Sequence, residues 1–428
     1  MDSSTIMPRH KLPPLTEVPV VTTSEAPRAP VWVEPGSPTY RRISLALFLA
    51  GFATFSLLYC VQPLLPLFAA DFHIGAAQSS LALSLTTGCL ALAILCAGAL
   101  SEGLGRRGLM FGSMTLAALF NLLAAVVPGW PALLLARTVE GLVLGGVPAV
   151  AMAYLAEEIH SRGLGLSMGL YVGGTAFGGM IGRVGMSVLG DFYSWRTALA
   201  VISIVDLAVA FGFLALLPAS RNFVRRSGFN PAYHLRAWHG HLKHQGLPYL
   251  FMTAFLVMGV FVTIYNYAGF RLMAPRYGLS QTQIGLIFSA YLFGIAASSI
   301  AGGLADRLGR APVLIGGVLT TALGVALTLQ HSLACIIGGI TILAIGFFIA
   351  HSVASGWVGR MAGGTKGHAA SLYLLAYYLG SSLLGSCGGW FWEGGGWNAV
   401  AGFAMTLLAF ALLIALRLHT LVSRGSVA

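Results

Sequence analysis

Charge is the scarcest property of this 428-residue chain: 9% of residues are charged and only 13 are acidic. A soluble globular protein carries about 25% charged residues. With 57% hydrophobic residues and a mean hydropathy of +0.82, the chain must instead lie in lipid. Cysteine is also sparse. Its five copies, Cys60, Cys89, Cys96, Cys335 and Cys387, sit inside apolar runs without a CxxC, which excludes a disulfide framework and reads as small apolar packers. No GxxxxGK[ST] loop and no HExxH occur, so ATP-driven transport and membrane proteolysis lack their chemistry. Residues 103–108 spell Gly-Leu-Gly-Arg-Arg-Gly, which fits GxGxxG, but a dinucleotide site needs a strand before it and an apolar run stands there instead.

What is abundant is long apolar sequence. Crossing a hydrocarbon core of ~30 Å takes roughly 20 apolar residues as helix, because lipid offers the backbone no partner. Runs near 44–70, 78–101, 108–128, 132–156, 164–189, 196–217, 247–274, 281–305, 311–330, 332–356, 367–391 and 396–417 meet this need. No alternating pattern marks a β-barrel. The fold class is therefore an all-α polytopic membrane protein with twelve spans.

Of the 24 Lys and Arg, 19 fall in the two tails and in alternate loops, and only Arg196 and Arg276 in the opposite loops. Arg137, Arg183 and Arg271 lie within spans or at their edges. By the positive-inside rule both termini are cytoplasmic, as an even number of spans also requires. The net charge of +11 is thus explained by topology and attraction to the cytoplasmic leaflet, with no nucleic-acid partner. Residues 1–40, rich in proline and ending before Arg41 and Arg42, read as a disordered cytoplasmic tail. Residues 41–217 hold six spans, 218–246 a basic cytoplasmic linker, 247–418 six more spans, and 419–428 a short cytoplasmic tail. The linker carries His234, His239, His241 and His244. Without cysteines or carboxylates nearby, these read as a solvated face against anionic headgroups rather than a metal site.

The two six-span units share a plan. Gly98, Leu100, Glu102, Gly105, Arg106 and Arg107 return 204 residues later as Gly302, Leu304, Asp306, Gly309 and Arg310, beside Arg307. A tight turn needs the glycines, and the acids lie at i, i+4 from Arg106 and Arg310, within reach of pairing. Gly163 and Ser167 match Gly367 and Ser371 at the same offset, and Trp195-Arg196 resembles Trp397-Asn398.

The repeated turn resembles the signature loop of the major facilitator superfamily between spans 2 and 3 and between spans 8 and 9. Its second copy, Gly302 to Arg310, fits at every characteristic position; the first carries Glu102 and Gly103 where Asp and a basic residue are usual. The resemblance implies two pseudo-symmetric six-helix bundles that open alternately to each side. It also implies that the loop latches one side shut by touching the opposite half. Arg137-Thr138-Val139-Glu140-Gly141 resembles the family's R-x-x-q-G motif, in which the arginine is tied to proton coupling. An arginine within a span costs roughly 2.5–3.5 kcal/mol on insertion scales and needs a partner or a wet cavity. Glu140, three residues on, is that partner, either for coupling or as a permanent brace. Gly173 to Gly179, with Gly174, Gly178 and Gly179, is similar to an antiporter signature, with Thr175 where proline is expected. The same glycines also suit plain helix packing.

The family's cavity is lined by the first, second, fourth and fifth spans of each half. Tyr59, Gln62, Asn266, His351, Tyr373 and Tyr377 are the polar candidates there, each also able to bond a neighbouring helix. Asp206, in a peripheral span, is left without a role. Residues Phe52–Pro66, Met152–Tyr171 and His351–Ser355 look like the arabinose and drug efflux permeases of the bacterial inner membrane. The resemblance implies a secondary transporter, not an enzyme, probing a small-molecule substrate as a monomer with no cofactor beyond the proton gradient. A proton-coupled efflux antiporter is the leading reading. A sugar or organic-acid uniporter or symporter, and a non-transporting receptor or scaffold, stay open.

Overall fold

The computed structural model describes residues 31–223 and 231–425, with backbone alone for 98–104 and 231. The proline-rich tail up to residue 30, Arg225 and Arg226, and the Glu102 side chain lie outside what is described, and of Gly98 only its helical backbone is. Helix dominates, and the only pairing of extended chain among the described residues is a single bridge between Val33 and Ile159. That bridge matters for the N-terminal boundary. Val33 donates to Glu158 O and accepts from the His160 amide, and a helix starts at Pro38 behind the Ser37 cap, so within residues 31–40 the chain already pairs with the first bundle.

Among the described residues, ten helical runs are long and apolar enough to cross a membrane. Two departures from regular helix bring this to twelve spans. The last run, Gly363–Ser423, turns back at Gly395 and Gly396, whose φ/ψ values are non-helical, and so forms spans 11 and 12. Span 4 is split into Trp130–Leu144 and Ala151–Glu158, because Pro148 lacks the N–H that would continue the ladder. The remaining spans are span 1, Pro38–Asp71; span 2, Ala76–Leu104; span 3, Arg106–Val126; span 5, Ser161–Phe192; span 6, Trp195–Leu216; span 7, Leu247–Met273; span 8, Gln281–Leu308; span 9, Arg310–Thr328; and span 10, Leu333–Met361. Spans 1 and 8 are also interrupted, at Cys60–Leu64 around Pro63 and at Ser289–Ala290. Span 11 contains a π-helical turn, Gly380–Leu384.

Glycine lets helices within a half meet backbone to backbone. A Cβ on Gly174 would lie 2.2 Å from Phe48 O, and one on Gly178 2.1 Å from Phe52 O, so spans 1 and 5 cross at their carbonyls. Gly380 against Phe255 O at 2.0 Å does the same for spans 7 and 11. The antiporter-like glycines thus have a packing role. Gly105 (φ 84°) and Gly309 (φ 89°), 204 residues apart, make the two equivalent turns between spans, in a region that side chains resist.

The linker is not simply solvated. Its helix, Pro231–Leu242, lies against the start of span 11: His234 meets His368 at 2.9 Å, Trp238 Nε1 donates to Ser371 Oγ at 3.2 Å, and His241 contacts Thr365 Oγ1 at 2.8 Å. No cluster of His, Cys, Asp and Glu able to hold a metal occurs among the described residues.

Candidate functional site

The halves touch chiefly at the end of the bundle away from the linker. There Gln62 Nε2 donates to Asn266 Oδ1 at 2.8 Å, joining two positions that the 204-residue duplication makes equivalent. Gln281 Nε2 donates to Pro63 O at 3.1 Å, the Thr282 amide to Asp191 at 3.2 Å, and the Ala77 amide to Glu393 at 3.0 Å. The π turn of span 11 directs Ser382 onto Ser84 O at 2.7 Å, and Ser386 follows onto Ser84 Oγ at 2.7 Å. Toward the linker end, Gly165, Gly169 and Gly173 of span 5 and Gly302 and Gly303 of span 8 face open space, with nothing within 4 Å of where a Cβ would lie. Spans 5 and 8 are sealed at one end and parted at the other.

Between the seal and that opening lies a buried polar cluster. Span 1 breaks after Tyr59, and the following turn, Gln62–Leu64, aims Gln62 inward beside the Tyr59 ring. Both meet Arg183 of span 5, which donates from Nε to Gln62 Oε1 at 2.6 Å and from Nη1 to Gly179 O at 2.7 Å. Its guanidinium lies 4.2 Å from the Tyr59 ring centre, 5.4 Å from Tyr291 and 5.9 Å from Tyr265, so residues from both halves surround one cation only 1% exposed. The hydroxyls of Tyr59 and Tyr265 and the Asn266 Nδ2 are buried here without partners.

Tyr59, Gln62 and Asn266 thus converge on Arg183. The other three cavity candidates form a second group, where the Tyr373 hydroxyl meets His351 Nδ1 at 3.0 Å and the Tyr377 ring lies 4.8 Å from the imidazole. They line a small niche with Phe347 and Met258. Stacked rings connect the groups: Phe347 to Phe261 at 4.2 Å, then Phe261 to Tyr265 at 4.3 Å. Arg183 is the residue that sequence reasoning passed over. A buried arginine without an acid one turn away was the available signal.

Arg137 and Glu140 are both fully buried and pair at 2.6 Å. Arg137 also donates to Leu57 O, Leu58 O and Ala82 O at 3.1–3.2 Å and to Asn121 Oδ1 at 3.0 Å. The two leucine carbonyls lie at the end of a helix, where the break in span 1 leaves backbone acceptors without their next donors. Arg137 therefore braces the bend that presents Tyr59 and Gln62. The Glu140 Oε1 atom has no hydrogen-bond partner, and the fully buried Asp206, with the Ser56 hydroxyl beside it, forms no ion pair among the described residues. Asp206 is within electrostatic reach of Glu140.

The repeated loops pair within their own halves. Arg106 grips Glu157 of span 4 through two bonds, 2.5 and 3.1 Å, and Arg107 donates to Leu214 O at 2.6 Å. Asp306 takes Arg310 at 3.3 Å, the i, i+4 pair the sequence predicts, and Arg360 of span 10 at 3.1 Å. Arg307 closes the last turn of span 8. The Arg106–Glu157, Asp306–Arg310 and Asp306–Arg360 pairs each lie within one half, whereas the resemblance implies a latch that also touches the opposite half.

The sequence profile of the Major Facilitator Superfamily matches residues 47–275 and 250–426. The chain is 45% identical over 388 residues to the inner membrane transport protein YnfM of Escherichia coli K12, covering 91% of this chain and 93% of that one. It is 40% identical over 400 residues to the MFS-type transporter YybF of Bacillus subtilis, covering 92% and 96%. In fold it is similar to a bacterial homologue of the lysosomal transporter Spinster in an inward-facing conformation, with a TM-score of 0.69 at 15% identity over 91% and 98% of the chains. A peptide transporter, POT, aligns with a TM-score of 0.72 at 12% identity over 90% and 94%. With these relatives, a matched profile in each half and a two-bundle helical fold, the chain belongs to the major facilitator superfamily of membrane transporters.

Proposed function

We propose that this chain is a proton-linked secondary transporter that moves a small organic solute outward across the bacterial inner membrane by alternating access. The observation that carries this reading is the seal at one end: equivalent positions of the two halves, Gln62 and Asn266, bond to each other beside a buried polar cluster, while the opposite ends of spans 5 and 8 stand apart. Rocking the halves about the cluster breaks one set of contacts and forms the other. The excess of Lys and Arg at the linker end supports a cytoplasmic placement of that end, and in that orientation this is an inward-facing state.

Proton coupling is assigned to Arg137 and Glu140, joined by Asp206. An ionised carboxylate with no partner is costly to bury in a span, so the free Glu140 oxygen and Asp206 give a proton places to reside. Arg137 holds Glu140 beside the bend of span 1, so a change of charge there is transmitted to Tyr59 and Gln62. The test is solute flux in everted membrane vesicles under an imposed pH gradient. Uptake that follows the gradient, and that loses this dependence in Glu140→Gln or Asp206→Asn, supports the reading. Flux indifferent to both the gradient and these variants removes the coupling, and accumulation driven toward the cytoplasm replaces efflux with symport.

A further inference from the structure

Among the described residues three arginines are buried, and they are satisfied in different ways. Arg137 has a carboxylate and a ring of carbonyls. Arg271 spends its guanidinium on the Thr328 and Gln330 carbonyls at the sealed end. Arg183 has neither. Among the described residues no acid pairs with it, and its Nη2 takes no hydrogen bond; only an amide oxygen and one carbonyl accept from it.

Around that cation stand further polar groups without partners, the Tyr59 and Tyr265 hydroxyls and the Asn266 Nδ2, each on a residue at most 2% exposed. Burying one unpaired donor is unfavourable, and burying several around an uncompensated positive charge is much more so. An acceptor carrying one negative charge neutralises the cation and takes a hydrogen bond from its Nη2. The rings of Tyr59, Tyr265 and Tyr291 flank the guanidinium, and a row of packed rings, Phe261 and Phe347, continues from Tyr265 to His351, so the surroundings of the cation are apolar and aromatic.

We infer that Arg183 is the anchor of a substrate site for an organic monocarboxylate, its carboxylate held by the guanidinium and its apolar part lying among the aromatic rings. The planar fork of an arginine matches a carboxylate, and a single cation neutralises a single charge, which favours a monoanion over a phosphate dianion. Gln62 is a positioning residue: it accepts from Arg183 and donates to Asn266, so occupation of the site bears directly on the contact that seals the halves. This inference rests on the transporter reading, since it takes the cluster between the halves as the solute's resting place.

The test measures the unfolding temperature of the purified full-length protein with short-chain, branched and aromatic monocarboxylates, each beside its neutral amide. A carboxylate in this panel is expected to raise the unfolding temperature while its amide does not. Its affinity should fall about tenfold or more in Arg183→Gln and by less in Arg183→Lys, which keeps the charge without the fork. Equal shifts by amides, no shift by any carboxylate, or unchanged affinity in both variants overturns the proposal. The Lys variant and elution of each variant as a single species separate lost binding from lost folding. Vesicle flux distinguishes the two readings. A carboxylate bound through Arg183 but never carried across removes transport and leaves the site, whereas a neutral or cationic solute carried independently of Arg183 leaves transport and removes the site.

Discussion

Arg137 and Glu140 have no exposed surface, and the Glu140 carboxylate is held by Arg137 alone among the described residues. Replacing Arg137 with Met strands Glu140 and frees the Leu57 and Leu58 carbonyls, and loss of one partner of a buried pair costs about 3–5 kcal/mol. Thermal unfolding should show this loss for Arg137→Met, and substantial recovery when Glu140→Leu is added. At the linker, His244 behaves differently. Its Nδ1 accepts from the Gly246 and Leu247 amides at 3.0 and 3.3 Å, at the start of span 7. Burial, then the neighbouring His241, holds its imidazole below the ordinary range. The folded state therefore favours the neutral ring. Its contribution to stability is complete above an unfolded pKa of about 6.5 and is lost as pH falls toward the lower folded value. Hydrogen exchange at the Gly246 and Leu247 amides, corrected for intrinsic rate, should accelerate on acidification, and His244→Phe should abolish that pH dependence.

Elements are shaped here by glycine and proline as much as by apolar length. Gly309 holds φ 89° and ψ 153°, a conformation close to glycine-only backbone that costs other residues of order 1–3 kcal/mol. Gly309→Ala should lower the unfolding temperature, whereas Gly316→Ala, inside span 9 with open space around its Cβ, should leave it unchanged or raise it. Gly178→Ala tests the crossing of spans 1 and 5. Its Cβ would meet Phe52 O at 2.1 Å, so the helices must separate, at a cost of about 1–3 kcal/mol, which unfolding in detergent would register. Such a shift also moves Arg183 relative to Tyr59, so solute affinity should fall together with stability.

For the whole molecule, the two ends of the bundle make opposite predictions. In a cysteine-free background, Gly173→Cys and Gly302→Cys should react with a water-soluble maleimide, because nothing packs over them. A disulfide joining cysteines at Ser84 and Ser386, whose Oγ atoms lie 2.7 Å apart, should fix the sealed end and stop flux without blocking that labelling. Continued flux with the disulfide formed would mean that the seal does not have to open for transport.

Apolar run length located twelve spans because lipid leaves the backbone no other partner, and that requirement is local. The 204-residue offset paired Gly105 with Gly309 and anticipated the Asp306–Arg310 contact, since turns and i, i+4 neighbours depend only on nearby residues. The break in span 4, signalled by Pro148, was also within reach of the sequence. Tertiary structure alone decided that Gln62 meets Asn266, that Arg106 takes Glu157, and that Arg183 gathers tyrosines from spans 1, 7 and 8. Partners so distant in sequence leave no periodic trace; which helix faces which is set by the packing of the whole bundle, and only that packing reveals a cation without a counter-charge.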